Sequence, residues 1–117
     1  MDLNILGTKY TLTVKKYDED PFFKDNSCDG YCDDVLKEIA VCKMSTYPGF
    51  EKETAEYCER SEKQIMRHEI IHAFLGESGL KQCSSNTGPW AKNEEMVDWI
   101  ALQAPKIIEV FKIANCI

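Results

Sequence analysis

A chain of 117 residues with a net charge of −6 is long enough to form one domain with a modest hydrophobic core, so we expect residues 1–117 to be a single domain. The acidic balance disfavours nucleic acids and anionic membranes as partners, because both bind basic surfaces. The sequence has neither an apolar run as long as a membrane span nor the basic start and apolar core of a signal peptide, which predicts a cytoplasmic protein.

The first half of the chain predicts a short antiparallel sheet. Residues 3–17 alternate in part between apolar and polar side chains, which indicates a strand. Residues 17–30 are acidic and without a period, which predicts a surface loop. A second strand is indicated at Ile39–Cys42, as the outer arm of a hairpin that turns near Asp33 and Asp34.

A long helical region follows the turn predicted at Pro48-Gly49. Ser61 and Gln64 have the spacing of a capping box, so we expect the main helix to begin near residue 61, after a separate helical turn at 52–59. Gly79 predicts its C-terminal end, because glycine readily adopts the left-handed conformation that closes a helix.

The last third of the chain predicts a loop at 81–90 and a second helix from about Ala91. Pro105 is expected to break or kink that helix, and an apolar C-terminal stretch to pack under the site. Trp90 and Trp99 are interpreted as core anchors. The predicted buried stripe of the second helix consists of Val97, Ile100, Ala101 and Ala104.

Six cysteines, at positions 28, 32, 42, 58, 83 and 116, could form a disulfide framework in a small secreted protein. The expected cytoplasmic location favours free thiols instead. Cys28 and Cys32 match a zinc ribbon poorly, because only single, scattered cysteines follow them. Cys42 and Cys58 have apolar or aromatic neighbours, which predicts small core residues.

The main helix carries the motif H-E-x-x-H, which contains both histidines of the chain, His68 and His72. Residues four apart share one face of a helix, so the two imidazoles can hold one metal ion, with Glu69 in reach of a metal-bound water. This pattern predicts a catalytic zinc site with Glu69 as the general base. The alternative is a chance match with two ordinary core histidines. The apolar flanks predict a buried helix, in which these polar groups need partners.

A third metal ligand is expected from the second helix. Glu94 and Asp98 are four residues apart and therefore share a face. If Glu94 completes the metal shell, Asp98 lies one turn further on and can accept the remaining ring N–H of a ligand histidine. Glu95 is the alternative ligand, and only the register with Asn93 and Asp98 favours Glu94.

H-E-x-x-H followed by N-E-x-x-x-D resembles the thermolysin-type zinc peptidases, or gluzincins, in which the later glutamate is the third ligand and the aspartate supports the site. The wider pattern is similar to the short zinc metallopeptidases of phages and prophages of Gram-positive bacteria. The matching segments cover most of the chain: Ile5–Tyr10, Gly30–Asp33, Arg67–Leu75 and Trp90–Ile100.

This resemblance implies a small α+β, zincin-like fold that binds one Zn²⁺ per chain and hydrolyses peptide bonds in a protein or peptide substrate. It also implies that an edge strand beside the active-site helix holds the substrate backbone. Glu38–Met44 is the candidate for that substrate shelf, and the alternative is a plain sheet strand. A phage-like origin suggests a repressor or host regulator as the substrate.

Several questions stay open at the level of sequence, the oligomeric state among them. The chain has no third histidine to stabilise an oxyanion, and the candidates for that role are Tyr31, Tyr47, Tyr57 and Arg67. A non-haem iron enzyme is disfavoured, because both histidines share one helix with a glutamate between them. The remaining alternative is a catalytically silent, metal-stabilised module that binds a protein. Retention of Glu69 favours chemistry, since a purely structural site needs no base.

Overall fold

Four strands form one sheet in the computed structural model, which describes residues 1–83 and 94–117. The strands are β1 (Asp2–Ile5), β2 (Thr8–Lys15), β3 (Gly30–Asp33) and β4 (Glu38–Cys42), in the spatial order β1-β2-β4-β3. The helices are α1 (Pro21–Asp25), α2 (Ala55–Glu77), α3 (Leu80–Cys83) and α4 (Glu94–Ile113). Six helical residues are described by their backbone alone: Gln82, Cys83, Glu94, Val97, Asp98 and Ala101.

The sheet is mixed, so the predicted antiparallel sheet is confirmed only in part: β1 with β2 and β3 with β4 pair antiparallel, whereas β2 and β4 are parallel. Leu6 and Gly7 have φ values of 52° and 94°, the signs required by a two-residue hairpin turn. That turn divides the predicted strand 3–17 into the antiparallel pair β1 and β2. The chain then crosses over through α1 and β3, and β4 pairs with β2 in parallel.

The prediction that Glu38–Met44 forms an outer strand was wrong. β4 lies between β2 and β3, and its residues Ile39–Cys42 are all buried. Because side chains alternate along a strand, Ile39 and Val41 join one hydrophobic cluster, whereas Ala40 and Cys42 join another. A continuous apolar run is what a strand covered on both faces requires. The edge of the sheet beside α2 is therefore β3.

Part of the predicted surface loop at 17–30 is folded against the second cluster. Asp20 caps α1 by accepting a hydrogen bond from the Phe22 N–H, at 3.1 Å, and Phe23 is completely buried. A single helical turn is too short to produce a recognisable period. Its buried partners are Ala40, Cys42, Met44 and Cys58.

Helix α2 is one 23-residue helix, so the predicted start at Ser61 was wrong. Thr54 is the N-cap and accepts a hydrogen bond from the Tyr57 N–H at 3.1 Å. No glycine or proline interrupts residues 55–75, which lets the helix begin at this earlier cap. The end was predicted correctly, since Gly79 has a φ of 82° directly after the helix. Helix α2 packs against β3, β4 and α4.

Helix α4 continues through Pro105 and does not break there. Its buried side chains include Ile107 and Val110. The predicted buried stripe was wrong at Ile100, which is 44% exposed. Trp99 packs against the main core, as predicted. Residues 81–83 of the predicted loop are helical and belong to α3. The rest of that loop, which includes Trp90, and the predicted helix start at Ala91 lie outside the described residues.

The five cysteines that the structure describes are free thiols. Cys42 and Cys58 are buried, which confirms their prediction as core residues. None of the helices in the described ranges combines the length and apolar character needed to cross a bilayer.

Candidate metal and base site

Helix α2 presents His68 and His72 one turn apart with their rings facing each other. The two Nε2 atoms lie 3.0 Å apart, and the ring centroids are 4.7 Å apart. Both residues are exposed. The expectation that burial forces the histidines to find a partner was therefore wrong.

A separation of 3.0 Å is that of a hydrogen bond between the two rings, and two nitrogens that share a zinc ion would have a similar spacing. In a tetrahedral site with Zn–N distances of about 2.0–2.1 Å, two ligand nitrogens lie about 3.3 Å apart, close to the separation between His68 and His72. Although the His72 side chain is exposed, its ring is partly shielded from solvent by its surroundings, which lowers its pKa, and the charges of His68 and Lys81 lower it further. A lower pKa favours the neutral imidazole that a metal requires.

The third ligand remains a prediction. Glu94 and Asp98 belong to α4, which packs against α2, but their side chains lie outside the described residues. Glu95, the alternative ligand, is exposed. Among the side chains that the structure does describe, no three His, Cys, Asp or Glu residues are grouped closely enough to hold a metal.

Glu69 is buried between α2 and the edge strand β3, with only 7% of its surface exposed. Gly30 permits this contact, because a Cβ atom there would lie 3.2 Å from Glu69 Oε1 and 2.5 Å from Ile65 Cγ2. Burial raises the pKa of Glu69; the charge of His68 opposes that shift and the charge of Asp29 adds to it. A carboxylate with a raised pKa is a stronger proton acceptor.

His68 and Glu69 open into a cleft of about 540 Å³. One wall is α2, and the opposite wall is the segment that leads into β3. Further lining residues come from the chain after β4. The residues around the cleft are Ser27, Cys28, Asp29, Gly30, Met44, Phe50, Ser61, Gln64, Ile65, His68 and Glu69.

None of the four candidate oxyanion donors is among these described lining residues. The Tyr31 hydroxyl donates to Asp20 Oδ2 at 2.8 Å, and the Arg67 guanidinium donates to the carbonyl of Cys116. Ser61 and Gln64 do line the cleft, and sequence reasoning missed them. The available signal was their spacing from His68, seven and four residues, which places all three on one helical face.

No protein-family model matches the chain, and no curated protein or solved structure is significantly similar to it.

Proposed function

We propose that the chain is a zinc-dependent peptidase in which His68, His72 and Glu94 hold the metal and Asp98 supports a ligand histidine. The observation that carries this proposal is the state of Glu69. This carboxylate is buried, has no hydrogen-bond donor or ion-pair partner among the described residues, and opens into a cleft beside the paired histidines. A carboxylate in that state is available to move protons.

When bound, zinc would lower the pKa of a coordinated water and polarise the scissile carbonyl. Glu69 takes a proton from the attacking water at its carboxylate and later gives it to the nitrogen of the leaving amine. Burial between α2 and β3 assists the first transfer, because it favours the neutral, protonated form of Glu69. Ser61 and Gln64 supply polar groups in the lining of the same cleft and are the candidate donors to the carbonyl oxygen of the substrate.

The substrate shelf is better assigned to β3 than to β4. Within the described sheet, β3 pairs on one side only, with β4, so its outer backbone groups can bond an extended peptide. Gly30, the first residue of β3, also lies against the Glu69 carboxylate. A peptide paired with this edge would therefore pass the proposed base.

Digestion of a complex pool of denatured proteins tests the proposal, with new peptide termini identified by mass spectrometry. Zinc-loaded wild type should generate termini that the Glu69→Gln variant produces at least about 100-fold more slowly. Glu53→Gln removes one exposed carboxylate elsewhere and should cut like wild type. Failure of the zinc-loaded wild type to cut anything, or unchanged cutting by Glu69→Gln, would overturn the peptidase proposal.

A metal-stabilised protein-binding module is the second candidate. The observation in its favour is that Tyr31 and Arg67, two of the expected oxyanion donors, are bonded to Asp20 and to the C-terminal backbone. In such a module zinc would join α2 to α4, and Glu69 would take no part in chemistry. A biological effect that needs His68 but survives Glu69→Gln would favour this candidate.

A further inference from the structure

Asp29 holds a fixed position in the wall of the cleft that contains Glu69. Its carbonyl accepts a hydrogen bond from the Cys42 N–H at 2.8 Å, which ties its backbone to the central strand. The next residue, Gly30, contacts Glu69. The Asp29 side chain is half-buried and lines the cleft together with His68 and Glu69.

The carboxylate of Asp29 has no ion pair or hydrogen-bond donor in the described ranges 1–83 and 94–117. Other half-buried or buried aspartates nearby are paired: Asp20 accepts hydrogen bonds from Lys15 and Tyr31, and Asp34 accepts one from Lys81. The negative charge of Asp29 affects the neighbouring Tyr47. Burial is the main cause of the raised pKa of Tyr47, and the charge of Asp29 is the second.

The remainder of the cleft suits a long side chain that ends in a positive charge. Met44, Phe50 and Ile65 provide apolar surface, and neither lysine nor arginine is found among the described lining residues. Lys43, the neighbour of Met44, is paired with Glu62 at 3.4 Å. Lysine and arginine bury an aliphatic stem along apolar surface and extend a charged head. An uncharged aliphatic guest would leave the Asp29 carboxylate partly desolvated and unpaired.

We propose that Asp29 makes this cleft select a lysine or arginine side chain of the substrate peptide, adjacent to the bond presented to Glu69. The proposal rests on the proposed peptidase function for its biological meaning. The binding preference itself is measured without turnover.

The test uses the zinc-loaded Glu69→Gln protein, in which Asp29 is the remaining carboxylate among the described lining residues. Its affinity is measured for acetyl-Ala-Ala-Ala-Xaa-Ala-Ala-amide peptides in which Xaa is lysine, norleucine or glutamate. The lysine peptide should bind about tenfold more tightly than the norleucine peptide, and the glutamate peptide most weakly. In this background, Asp29→Asn should abolish the difference and Asp29→Lys should reverse it in favour of glutamate. Asp25→Asn, which removes an exposed charge on α1, should leave it unchanged.

Equal binding of the lysine and norleucine peptides, or a lysine preference that survives Asp29→Asn, would overturn the assignment of Asp29. Hydrolysis of the same peptides by wild type separates this result from the peptidase proposal. A lysine preference that depends on Asp29, without hydrolysis of any substrate, would support the cation-selective cleft and overturn the peptidase proposal. Hydrolysis without a lysine preference would support the peptidase proposal and overturn the role of Asp29.

Discussion

Helix α2 carries three largely buried carboxylates. Two of them, Glu62 and Glu77, are hydrogen-bonded to other parts of the fold, and the third, Glu69, has no such partner among the described residues. Glu62 is 6% exposed and Glu69 is 7% exposed, while the side chain of Glu77 is 14% exposed. Glu62 and Glu77 each accept hydrogen bonds from groups outside α2. Glu69 accepts none from the described residues. Burial alone therefore does not distinguish the proposed base, whereas the absence of described donors does.

The two paired glutamates attach α2 to the sheet and its connections. Glu62 accepts the Met44 N–H at 2.9 Å. Glu77 accepts the hydroxyl groups of Thr8 at 2.8 Å and Tyr10 at 2.9 Å, and it also pairs with Lys37. These contacts offset the cost of burying a charge. Glu69 has no such contact with the described residues and instead lines the cleft, which is the pattern of a functional group rather than a stabilising one.

Replacing the unpaired carboxylate should separate activity from stability. We expect Glu69→Gln to lose about 10²- to 10⁴-fold in the rate of peptide hydrolysis, the usual contribution of a general base. Its melting temperature should equal or exceed that of wild type, because a neutral amide of similar shape replaces a desolvated charge. Thermal unfolding of zinc-free protein, followed by circular dichroism, measures the second quantity. A large loss of stability would show that Glu69 is a structural residue like Glu77.

Removing a paired carboxylate should have the opposite effect. Glu77→Ala leaves the hydroxyl of the completely buried Tyr10 without its acceptor and also removes the partner of Lys37. The free energy of unfolding should fall by about 2–4 kcal/mol, measured by urea denaturation. Glu53→Ala, at an exposed position, is the control and should change it little. Equal stability of the two variants would contradict the role assigned to Glu77.

The contact between Gly30 and α2 can be disturbed with a single methyl group. In Gly30→Ala the new Cβ would lie 2.5 Å from Ile65 Cγ2 and 3.2 Å from Glu69 Cγ, so the side chains of Ile65 and Glu69 must shift away from the strand. Destabilisation of about 1–3 kcal/mol is expected, together with reduced hydrolysis because Glu69 is displaced.

Gly76→Ala is the comparison for that variant. Its Cβ would lie 2.6 Å from Asp34 Oδ1, the end of a side chain that can turn away at the expense of its exposed pair with Lys81, and alanine gains roughly 1 kcal/mol in helix propensity. Little net change in stability is therefore expected. If both variants unfolded at the same urea concentration, the close packing of β3 against Glu69 would be in doubt.

The smallest expected effect is a change in the pH dependence of stability. The hydrogen bond from Lys37 is the main cause that lowers the pKa of Glu77 below 4.5. A lowered pKa means that the ionised form stabilises the fold above about pH 4.5, and that this contribution disappears as the pH falls through the folded-state value. The stability difference between wild type and Glu77→Gln should therefore be constant near neutrality and shrink in acid. A difference that grows in acid would contradict the assigned pKa direction.

The sequence was sufficient to predict the parts of the site that depend on local spacing. The four-residue interval between His68 and His72 brings their nitrogens together on any regular helix. The helix end at Gly79 and the turn after Asp33 follow from local backbone preferences in the same way. Glu94 and Asp98 were predicted by the same kind of spacing, and their side chains remain outside the described residues.

The rest depended on contacts between distant residues. The prediction of β4 as an edge strand was wrong because its parallel pairing with β2 joins segments that are distant in the chain, and no local pattern reveals such a pairing. Its unbroken apolar run was the available sign of a central strand. The partners of Glu77 lie 40 to 69 residues away in the chain, so no local pattern distinguished this glutamate from Glu69. Asp29 belongs to the cleft only because β3 folds against α2.

Zinc content is the most direct test of the account. It should be measured by mass spectrometry on protein purified without added metal, for wild type, Glu69→Gln, His68→Ala and His72→Ala. We predict about one zinc per chain in wild type and in Glu69→Gln, and loss of the metal in both histidine variants. A wild-type protein that contains no metal and cannot take up zinc would contradict the account, leaving two exposed histidines that share a proton.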